Sequence, residues 1–496
     1  MKQFLLLGLL FCAISTLNAA TDKVFCYFAS SAATQQGSGK FEIEDISTNL
    51  CTHIVYRYVA LDPNTYTVRH ADSWSDINLQ GFKRFVALKQ TKSTLKLLLE
   101  VGSRSESSAP YSRMASSSVT RSAFIQSLVS MLKTYGFDGC DLDWEYPVLR
   151  GGNPEDRVNF IALLSDMKTR FNGEGLLLSI AVAPTKDFHR SSYNVPEINR
   201  YVDFVNLMTF NLHGYWDAQT GHNSPLYAAT WETDSVTSLL NVDACVRGWI
   251  DNGLEARKLI LSIPIHGRTF KLASTTATGV GMRTVGAGTE GPYSLEAGIL
   301  SYQEVCELLK TGQYRKVWDN VQQVPYAFAG NQWISFDDVD SVALKATYAR
   351  NKYLGGVSLW TIDSDDNRNV CGGGLYPIAS TVNSVLFGSV GPITTPTTAR
   401  TTTTTTTART TTTTPRTTTT TPRITTTTAR NSATTVSIGD IICPASGFVR
   451  DPTDCRAFYQ CIPGMTLFLN WRKVCGAGLF FDETSNTCNY EYFVKC

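Results

Sequence analysis

One short stretch of the chain carries three carboxylates at alternate positions, Asp141, Asp143 and Glu145. Side chains alternate between the two faces of a β-strand, so a strand here would place all three carboxylates on one face. Leu142 and Trp144 would then lie on the other face. Carboxylates that share a face repel one another and are costly to desolvate, so they need shared protons or partners. Such an arrangement raises the pKa of at least one of them, which suits a general acid that works near neutral pH.

A solvent-facing acidic edge strand is the alternative interpretation of this pattern. It is disfavoured because the neighbouring apolar residues, Leu142 and Trp144, need a core to pack against. If the strand belongs to a barrel of parallel strands, Glu145 is the last of the three acids. It would therefore project at the C-terminal mouth of the barrel, where such folds place their active sites.

The elements around this stretch indicate the fold that positions it. Short β-rich runs alternate with longer amphipathic stretches such as Phe124–Leu132 and Val158–Phe171, as in chains of βα units. Eight such units predict an α/β fold, a (β/α)8 TIM barrel. The gap before the last run is too long for one helix and predicts a small α+β insertion at about residues 271–335. The candidate strands are Val24–Phe28, His53–Tyr58, Leu97–Val101, Gly139–Trp144, Leu177–Ala181, Phe204–Met208, Leu259–Ile263 and Gly356–Trp360.

A Thr-rich segment divides the chain of 496 residues. Between Thr394 and Thr435, 27 of 42 residues are Thr, so the segment has nothing to bury and forms no core. We predict a linker at residues 389–440, between a catalytic segment at 21–388 and a small domain at 441–496. Thr- and Pro-rich linkers of secreted proteins are typically O-glycosylated. The evenly spaced Arg residues of the linker could instead bind anions, or simply keep it extended.

Composition and the N-terminus indicate where the protein works. Hydrophobic residues make up 43% and charged residues 18%, which excludes global disorder. The net charge of +1 argues against a nucleic-acid partner, and 13 cysteines favour an oxidising compartment.

Residues 1–20 combine a charged start, an apolar run and small residues near Ala20, which is typical of a secretory signal peptide. The apolar run is too short for a membrane anchor, so we expect a secreted, extracellular monomer without a membrane partner.

The stretch that holds the three acids resembles the signature of glycoside hydrolase family 18 chitinases. The matching residues are Asp138-Gly139-x-Asp141-x-Asp143-Trp144-Glu145-Tyr146-Pro147. The resemblance extends from about Val24 to Ser384. It implies an endo-acting chitinase that binds chitin and chitin oligosaccharides and uses no metal or organic cofactor. Further matching runs are Cys26-Tyr27-Phe28, Met208-Thr209, His213-Gly214, Gly267-Arg268-Thr269-Phe270 and Trp360.

The resemblance implies a retaining mechanism in which the substrate supplies the nucleophile. Glu145 would protonate the glycosidic oxygen while the 2-acetamido carbonyl of the substrate attacks the anomeric carbon. Asp143 would hold the acetamido N–H, and Asp141 would share a proton with Asp143. Glu145 would then act as the base for the incoming water.

The resemblance also implies a set of substrate-binding residues. Trp360 would form the floor of the subsite for the distorted sugar, and Tyr27 and Met208 would line it, although all three could simply fill the core. Trp216 would lie on the leaving-group side. Arg268 would lie near the substrate, and its contact with the sugar is left open.

Four positions depart from the family pattern. Phe210 and Asn211 replace a Tyr and an Asp, His266 replaces a second Tyr, and Arg104 replaces a stacking Trp. Phe210 has no hydroxyl to hold the acetamido group. Asn211 supplies no negative charge, so we expect the working pH range to move toward acid. All three acids are present, so an active enzyme is favoured over a catalytically weak or inactive chitin-binding, lectin-like relative.

The last part of the chain, residues 443–496, holds six cysteines. A secreted unit this short predicts a disulfide framework of undetermined connectivity, whereas a zinc site would need a Cys-x2-Cys pair or a His. The spacing resembles a peritrophin-A-type chitin-binding domain (carbohydrate-binding module family 14). That resemblance implies the pairs Cys443–Cys461, Cys455–Cys496 and Cys475–Cys488 and the candidate sugar platforms Tyr459, Trp471 and Tyr490, some of which must form the core. In the long segment, the family resemblance implies the pairs Cys26–Cys51 and Cys306–Cys371.

Overall fold

Eight parallel strands of the long segment close into a barrel, which confirms the predicted fold. The computed structural model describes residues 21–185, 191–388, 447–451, 454–461, 472–475, 479–482 and 487–490. The barrel strands are β1 (Lys23–Ala29), β2 (His53–Leu61), β4 (Lys96–Val101), β5 (Gly139–Leu142), β6 (Leu177–Val182), β7 (Phe204–Leu207), β8 (Leu259–Pro264) and β15 (Gly356–Trp360). They pair in chain order, and β1 pairs with both β2 and β15 to close the circle. A short strand, β3 (Val68–His70), adds to β2 in an antiparallel sense.

Helices alternate with the strands. Their ends are set by local capping: Ser117 accepts a hydrogen bond from the backbone N–H of Thr120, and Gly136 ends the same helix with φ at 88°. Within the described residues the helices are α1 (Gly81–Ala87), α2 (Ser108–Ala115), α3 (Ser118–Tyr135), α4 (Asp156–Asn172), α5 (Val195–Tyr201), α6 (Val242–Asp251), α7 (Tyr302–Lys310), α8 (Val339–Asn351) and α9 (Pro377–Phe387). No helix in this part of the chain is long and apolar enough to cross a membrane.

An antiparallel sheet is inserted between β8 and β15, as predicted. Its strands are β9 (His266–Leu272), β10 (Thr284–Ala287), β11 (Ile299–Ser301), β12 (Arg315–Asp319), β13 (Val324–Ala329) and β14 (Gln332–Ser335). The strand order is β10-β9-β14-β13-β12, with β11 paired to β9, and α7 belongs to the same insertion.

The interior of the barrel changes from apolar to polar along the strands. Phe25, Val55, Leu98 and Ile260 form an apolar cluster inside the barrel. One layer further along, Glu100 lies opposite Asp141, which in turn lies opposite Ser179, and all three are fully buried. The polar layer is the base of the candidate site.

Two disulfides confirm the pairings implied for the long segment. Cys26 pairs with Cys51, and Cys306 pairs with Cys371. Cys140 and Cys245 are buried free thiols.

The C-terminal residues form a second compact unit. Its strands are β16 (Gly447–Asp451), β17 (Asp454–Cys461), β18 (Arg472–Val474), β19 (Leu479–Asp482) and β20 (Thr487–Tyr490). Cys475 is disulfide-bonded. The three implied pairings of this unit stay predictions.

Several predicted features lie outside the described residues. These are the signal peptide at 1–20, the linker at 389–440, and Cys443, Trp471 and Cys496. Tyr459, Tyr490, Cys455, Cys461 and Cys488 lie in β17 and β20, but the description does not extend to their side chains.

Gly102, directly after β4, lies close to the backbone of the acidic stretch at Asp143. A substitution there therefore measures how closely the two segments pack. The φ of Gly102 is +94°, and a Cβ at this position would lie 2.3 Å from the carbonyl oxygen of Asp143. Gly102→Ala should therefore lower the free energy of unfolding by about 2–4 kcal/mol. Gly175→Ala is the matched control because Gly175 also has a positive φ, +69°, but has nothing within 4 Å of a new Cβ. Thermal unfolding of both variants measures the difference, and equal losses would contradict the proposed contact.

Candidate active site

The three acids lie at the C-terminal end of β5. Asp141 is within the strand, while Asp143 and Glu145 follow it, because β5 ends at Leu142 rather than at the predicted Trp144. The exposed fractions are 0% for Asp141, 1% for Asp143 and 8% for Glu145, so exposure increases toward the mouth. β5 pairs with strands on both sides, so the acidic edge-strand alternative is wrong.

Asp141 is fixed by hydrogen bonds inside the barrel. The Tyr27 hydroxyl donates to its Oδ2 at 2.7 Å, and the Asn206 amide donates to its Oδ1 at 3.0 Å. The same Asn206 nitrogen lies 2.8 Å from the Ser179 hydroxyl. Burial raises the pKa of Asp141, and these hydrogen bonds oppose the rise. Tyr27, predicted to line a subsite, therefore orients this acid.

Asp143 is buried with no hydrogen-bond partner for either carboxyl oxygen. Burial raises its pKa well above the usual range, and the neighbouring carboxyls Glu145, Glu100 and Asp141 raise it further. We therefore expect Asp143 to carry a proton near neutral pH. One Glu100 oxygen also lacks a partner, and Glu100 and Asp143 are within hydrogen-bonding reach of each other. A proton shared with Glu100 would satisfy both groups, while sharing with Asp141 stays a prediction.

Glu100 and Arg57 lie in the candidate site beside the three acids and Trp360, and the sequence analysis missed both. Arg57 Nε donates to Glu100 Oε2 at 2.7 Å, and the Glu100 side chain is fully buried. Burial and the charge of Asp141 raise the pKa of Glu100 to about 7 against the opposing effect of Arg57. The sequence does carry a signal for these two residues: β2 has a single Arg and β4 a single Glu, and both neighbouring barrel strands are otherwise mostly apolar.

Trp360 stands at the end of β15, in contact with Arg57 and a small apolar cluster. The guanidinium carbon of Arg57 lies 4.0 Å from the centroid of the Trp360 ring. The Phe210 ring stacks on the indole at 5.5 Å with an angle of 28° between the planes, and Met208 belongs to the same cluster. Tyr27 lies 4.9 Å from the indole. The structure thus brings Tyr27, Met208 and Trp360 together and adds Arg57 to them, while their role as a sugar subsite stays a prediction.

A second group lies around Asn211. Its side-chain oxygen accepts a hydrogen bond from Arg268 Nε at 2.8 Å and lies 3.0 Å from His266 Nε2. The guanidinium of Arg268 lies 5.2 Å from the ring centroid of Trp216, which is 52% exposed. Burial and the charge of Arg268 lower the pKa of His266 to about 3, so His266 is neutral under ordinary conditions. The effect of Asn211 on the pH range stays a prediction.

Glu145 faces the mouth beside an exposed cation. Arg104 Nη1 lies 3.4 Å from Glu145 Oε2, and the Arg104 side chain is 75% exposed. Because Arg104 is so exposed, this ion pair contributes little free energy. A ligand could therefore displace Arg104 from Glu145 at little cost. Arg104 therefore occupies the place beside Glu145 without closing it.

Two family models match the chain. The model described as Glycosyl hydrolases family 18 matches residues 23–365, and that of the Chitin binding Peritrophin-A domain matches residues 443–496. The first match contains the barrel and all three acids. The second corresponds to the cysteine-rich C-terminal unit.

Curated relatives resemble the barrel segment. Chitotriosidase-1 of Mus musculus is 37% identical over 375 residues, which cover 73% of this chain and 78% of the relative. Probable chitinase 10 of Drosophila melanogaster is 35% identical over 371 residues, which cover 73% of this chain. The chain spans only 16% of the length of that second relative.

Solved structures of similar proteins include both a hydrolase and a binding protein. The Group IV chitinase of Ostrinia furnacalis matches with a TM-score of 0.72 and 38% identity, covering 73% of this chain and 99% of that one. Human YKL-39, described as a pseudo-chitinase with retained chitooligosaccharide binding, matches with a TM-score of 0.69 and 34% identity. That match covers 74% of this chain and 100% of YKL-39. The fold alone therefore does not decide between hydrolysis and binding.

Proposed function

Because the chain belongs to glycosyl hydrolases family 18, we propose that it is a secreted chitinase with a retaining, substrate-assisted mechanism. Its substrate would be chitin, cleaved at β-1,4 linkages between N-acetylglucosamine units in an endo fashion. The observation that carries the proposal is the graded burial of the acids. Glu145 is the carboxyl that a glycosidic oxygen can reach, while Asp143 and Asp141 lie behind it.

In the first step, Glu145 donates its proton to the glycosidic oxygen as the bond from that oxygen to the anomeric carbon breaks. The 2-acetamido carbonyl oxygen of the same sugar attacks the anomeric carbon, and a cyclic oxazolinium ion forms. The protonated leaving sugar departs. General acid catalysis of this kind contributes about 10²–10⁴-fold to the rate.

In the second step, a water molecule attacks the anomeric carbon and Glu145 takes its proton. The oxazolinium ring opens, the acetamido group is restored, and the anomeric configuration is retained because two displacements have occurred. Glu145 is protonated again, so the cycle closes.

Asp143 would stabilise the positive charge that develops on the acetamido group. To accept the acetamido N–H it must release its own proton, and Glu100 is a neighbouring carboxyl that can take it. Asp141 is held in place by hydrogen bonds from Tyr27 and Asn206. It is therefore a carboxyl of fixed position next to Asp143. We infer that the buried carboxyls store a proton that Asp143 gives up when substrate binds.

The C-terminal unit would anchor the enzyme to insoluble chitin. Its match to a chitin-binding domain supports this role, and the Thr-rich segment would act as an extended tether. Tethering raises the effective concentration of substrate at the barrel without any new contact in the cleft.

A chitin-binding relative with weak hydrolysis is the second candidate. Two observations favour it: Arg57 covers part of Trp360, and Phe210 has no hydroxyl to hold the acetamido group. The presence of Glu145 at the mouth favours the enzyme. Release of products from chitin oligosaccharides distinguishes the two.

Glu145→Gln should abolish hydrolysis while preserving binding of chitin oligosaccharides. Gln keeps the shape of the side chain but cannot donate the proton, so kcat should fall by about 10²–10⁴-fold or more. Product release from a chitin pentasaccharide gives kcat. Glu197→Gln is the control, since Glu197 pairs with Arg200 on the outer helix α5. Turnover of Glu145→Gln close to that of the wild type would refute the assignment of the acid.

Cleavage of the chain within the Thr-rich linker should leave a folded barrel that still hydrolyses soluble oligosaccharides. Adsorption to insoluble chitin should fall because the anchoring unit is lost. A pull-down with chitin particles, alongside the soluble assay, measures both properties. If the truncated chain adsorbs as strongly as the full chain, the anchoring role of residues 441–496 is wrong.

A further inference from the structure

We propose that Arg57, held by Glu100, is a specificity-determining residue that covers Trp360 and must move aside before a sugar ring can stack there. The proposal rests on the proposed function, because it concerns the sugar subsite at the same catalytic acids. Its consequence is that wild-type protein binds N-acetylglucosamine oligomers more weakly than the bare Trp360 platform would allow.

The position of the guanidinium is the first argument. Its carbon lies 4.0 Å from the centroid of the Trp360 ring, which is the distance of atoms in van der Waals contact. A sugar ring that stacks on the same face would need this space. The rest of the indole contacts Phe210 and Tyr27, at 5.5 Å and 4.9 Å between ring centroids. The Arg57 side chain is 20% exposed and Trp360 is only partly buried, so their contact lies within reach of solvent.

The anchoring of Arg57 is the second argument. Its Nε donates to the fully buried carboxylate of Glu100 at 2.7 Å. Burial lowers the pKa of Arg57, but the attraction of Glu100 outweighs this effect, and Arg57 remains charged. Movement of Arg57 toward solvent would leave a buried carboxyl without its cation, which is costly. The stacking of the guanidinium on the indole adds to the free-energy cost of moving Arg57.

The competition between guanidinium and sugar is the third argument. The free energy needed to displace Arg57 is subtracted from the binding of every ligand that uses the Trp360 face. A ligand with additional contacts elsewhere in the cleft, such as a longer oligomer, can supply that free energy from those contacts, whereas a short one cannot. Arg57 therefore lowers the affinity for every such oligomer by one common factor, and the longer oligomers still bind because of their further contacts.

Removal of the pair tests the inference. The double variant Arg57→Ala/Glu100→Ala removes both charges, so neither is left buried and unpaired. We expect the affinity for a chitin pentasaccharide to rise at least tenfold, and the affinity for a trisaccharide that occupies the same subsite to rise by a similar factor. Both affinities are measured in the Glu145→Gln background, because Glu100 takes part in the proposed proton transfer and its loss would also change turnover. No rise, or a fall, would overturn the proposal.

A matched ion pair far from the cleft provides the control. Arg121 Nε donates to Asp166 at 2.7 Å between α3 and α4, and the Arg121 side chain is similarly buried. Arg121→Ala/Asp166→Ala in the Glu145→Gln background should leave the affinity for the pentasaccharide within twofold of that of Glu145→Gln alone. If the Arg57 double variant does not fold, Arg57→Gln/Glu100→Gln keeps a hydrogen-bonded pair, and the shorter Gln exposes the ring. The same tenfold rise is expected from it.

Binding distinguishes a failure of this inference from a failure of the proposed function. Calorimetric titration of a chitin pentasaccharide compares full-length Glu145→Gln with Glu145→Gln/Arg57→Ala/Glu100→Ala, and the C-terminal unit contributes equally to both. Tenfold tighter binding to the triple variant supports the inference even if no variant hydrolyses the substrate, an outcome that would refute the proposed function alone. Equal or weaker binding would overturn the inference whatever the hydrolysis results.

Discussion

The burial of several carboxyl groups in one small space is the constraint on which the rest of the site depends. Glu100, Asp141 and Asp143 are almost completely removed from solvent, and Glu145 lies next to them at the mouth. Separate ionisation of all of them would be prohibitive in this environment. The molecule meets the constraint with hydrogen bonds from Tyr27 and Asn206 and with one largely buried cation, Arg57. We expect a proton on Asp143 to meet the rest of it.

The barrel supplies what this constraint requires. Each partner of the acids comes from a different strand, so closure of the barrel is what brings the donors into contact with β5. The polar layer lies above an apolar one, which keeps water out from below and strengthens each electrostatic interaction. The same burial raises the pKa of Asp143, which is the basis of the proposed exchange of its proton with a neighbour. Packing, protonation and the proposed catalysis are thus consequences of one arrangement.

Much of this arrangement could be predicted from the sequence, for identifiable reasons. The alternating pattern predicted that the acids share a face at a strand end, and the run of βα units indicated the barrel and its insertion. The pairings Cys26–Cys51 and Cys306–Cys371 followed from the family resemblance. The contact of Arg57 with Glu100 and Trp360 could not be predicted, because it depends on the register of β2 against β4 and on side-chain rotamers inside a closed barrel. The end of β5 at Leu142, two residues before the predicted Trp144, likewise could not be predicted from the alternating pattern.

The central claim is that Asp143, buried beside Glu100 and Asp141, keeps a proton near neutral pH. Infrared difference spectroscopy measures it most directly, because the carbonyl stretch of a protonated carboxyl group is distinct from the bands of a carboxylate. Comparison of wild-type protein with Asp143→Asn at pH 7 should show a protonated-carboxyl band that is present in the wild type and lost or shifted in the variant. The absence of such a band in the wild type at pH 7, or an identical band in both proteins, would contradict the account.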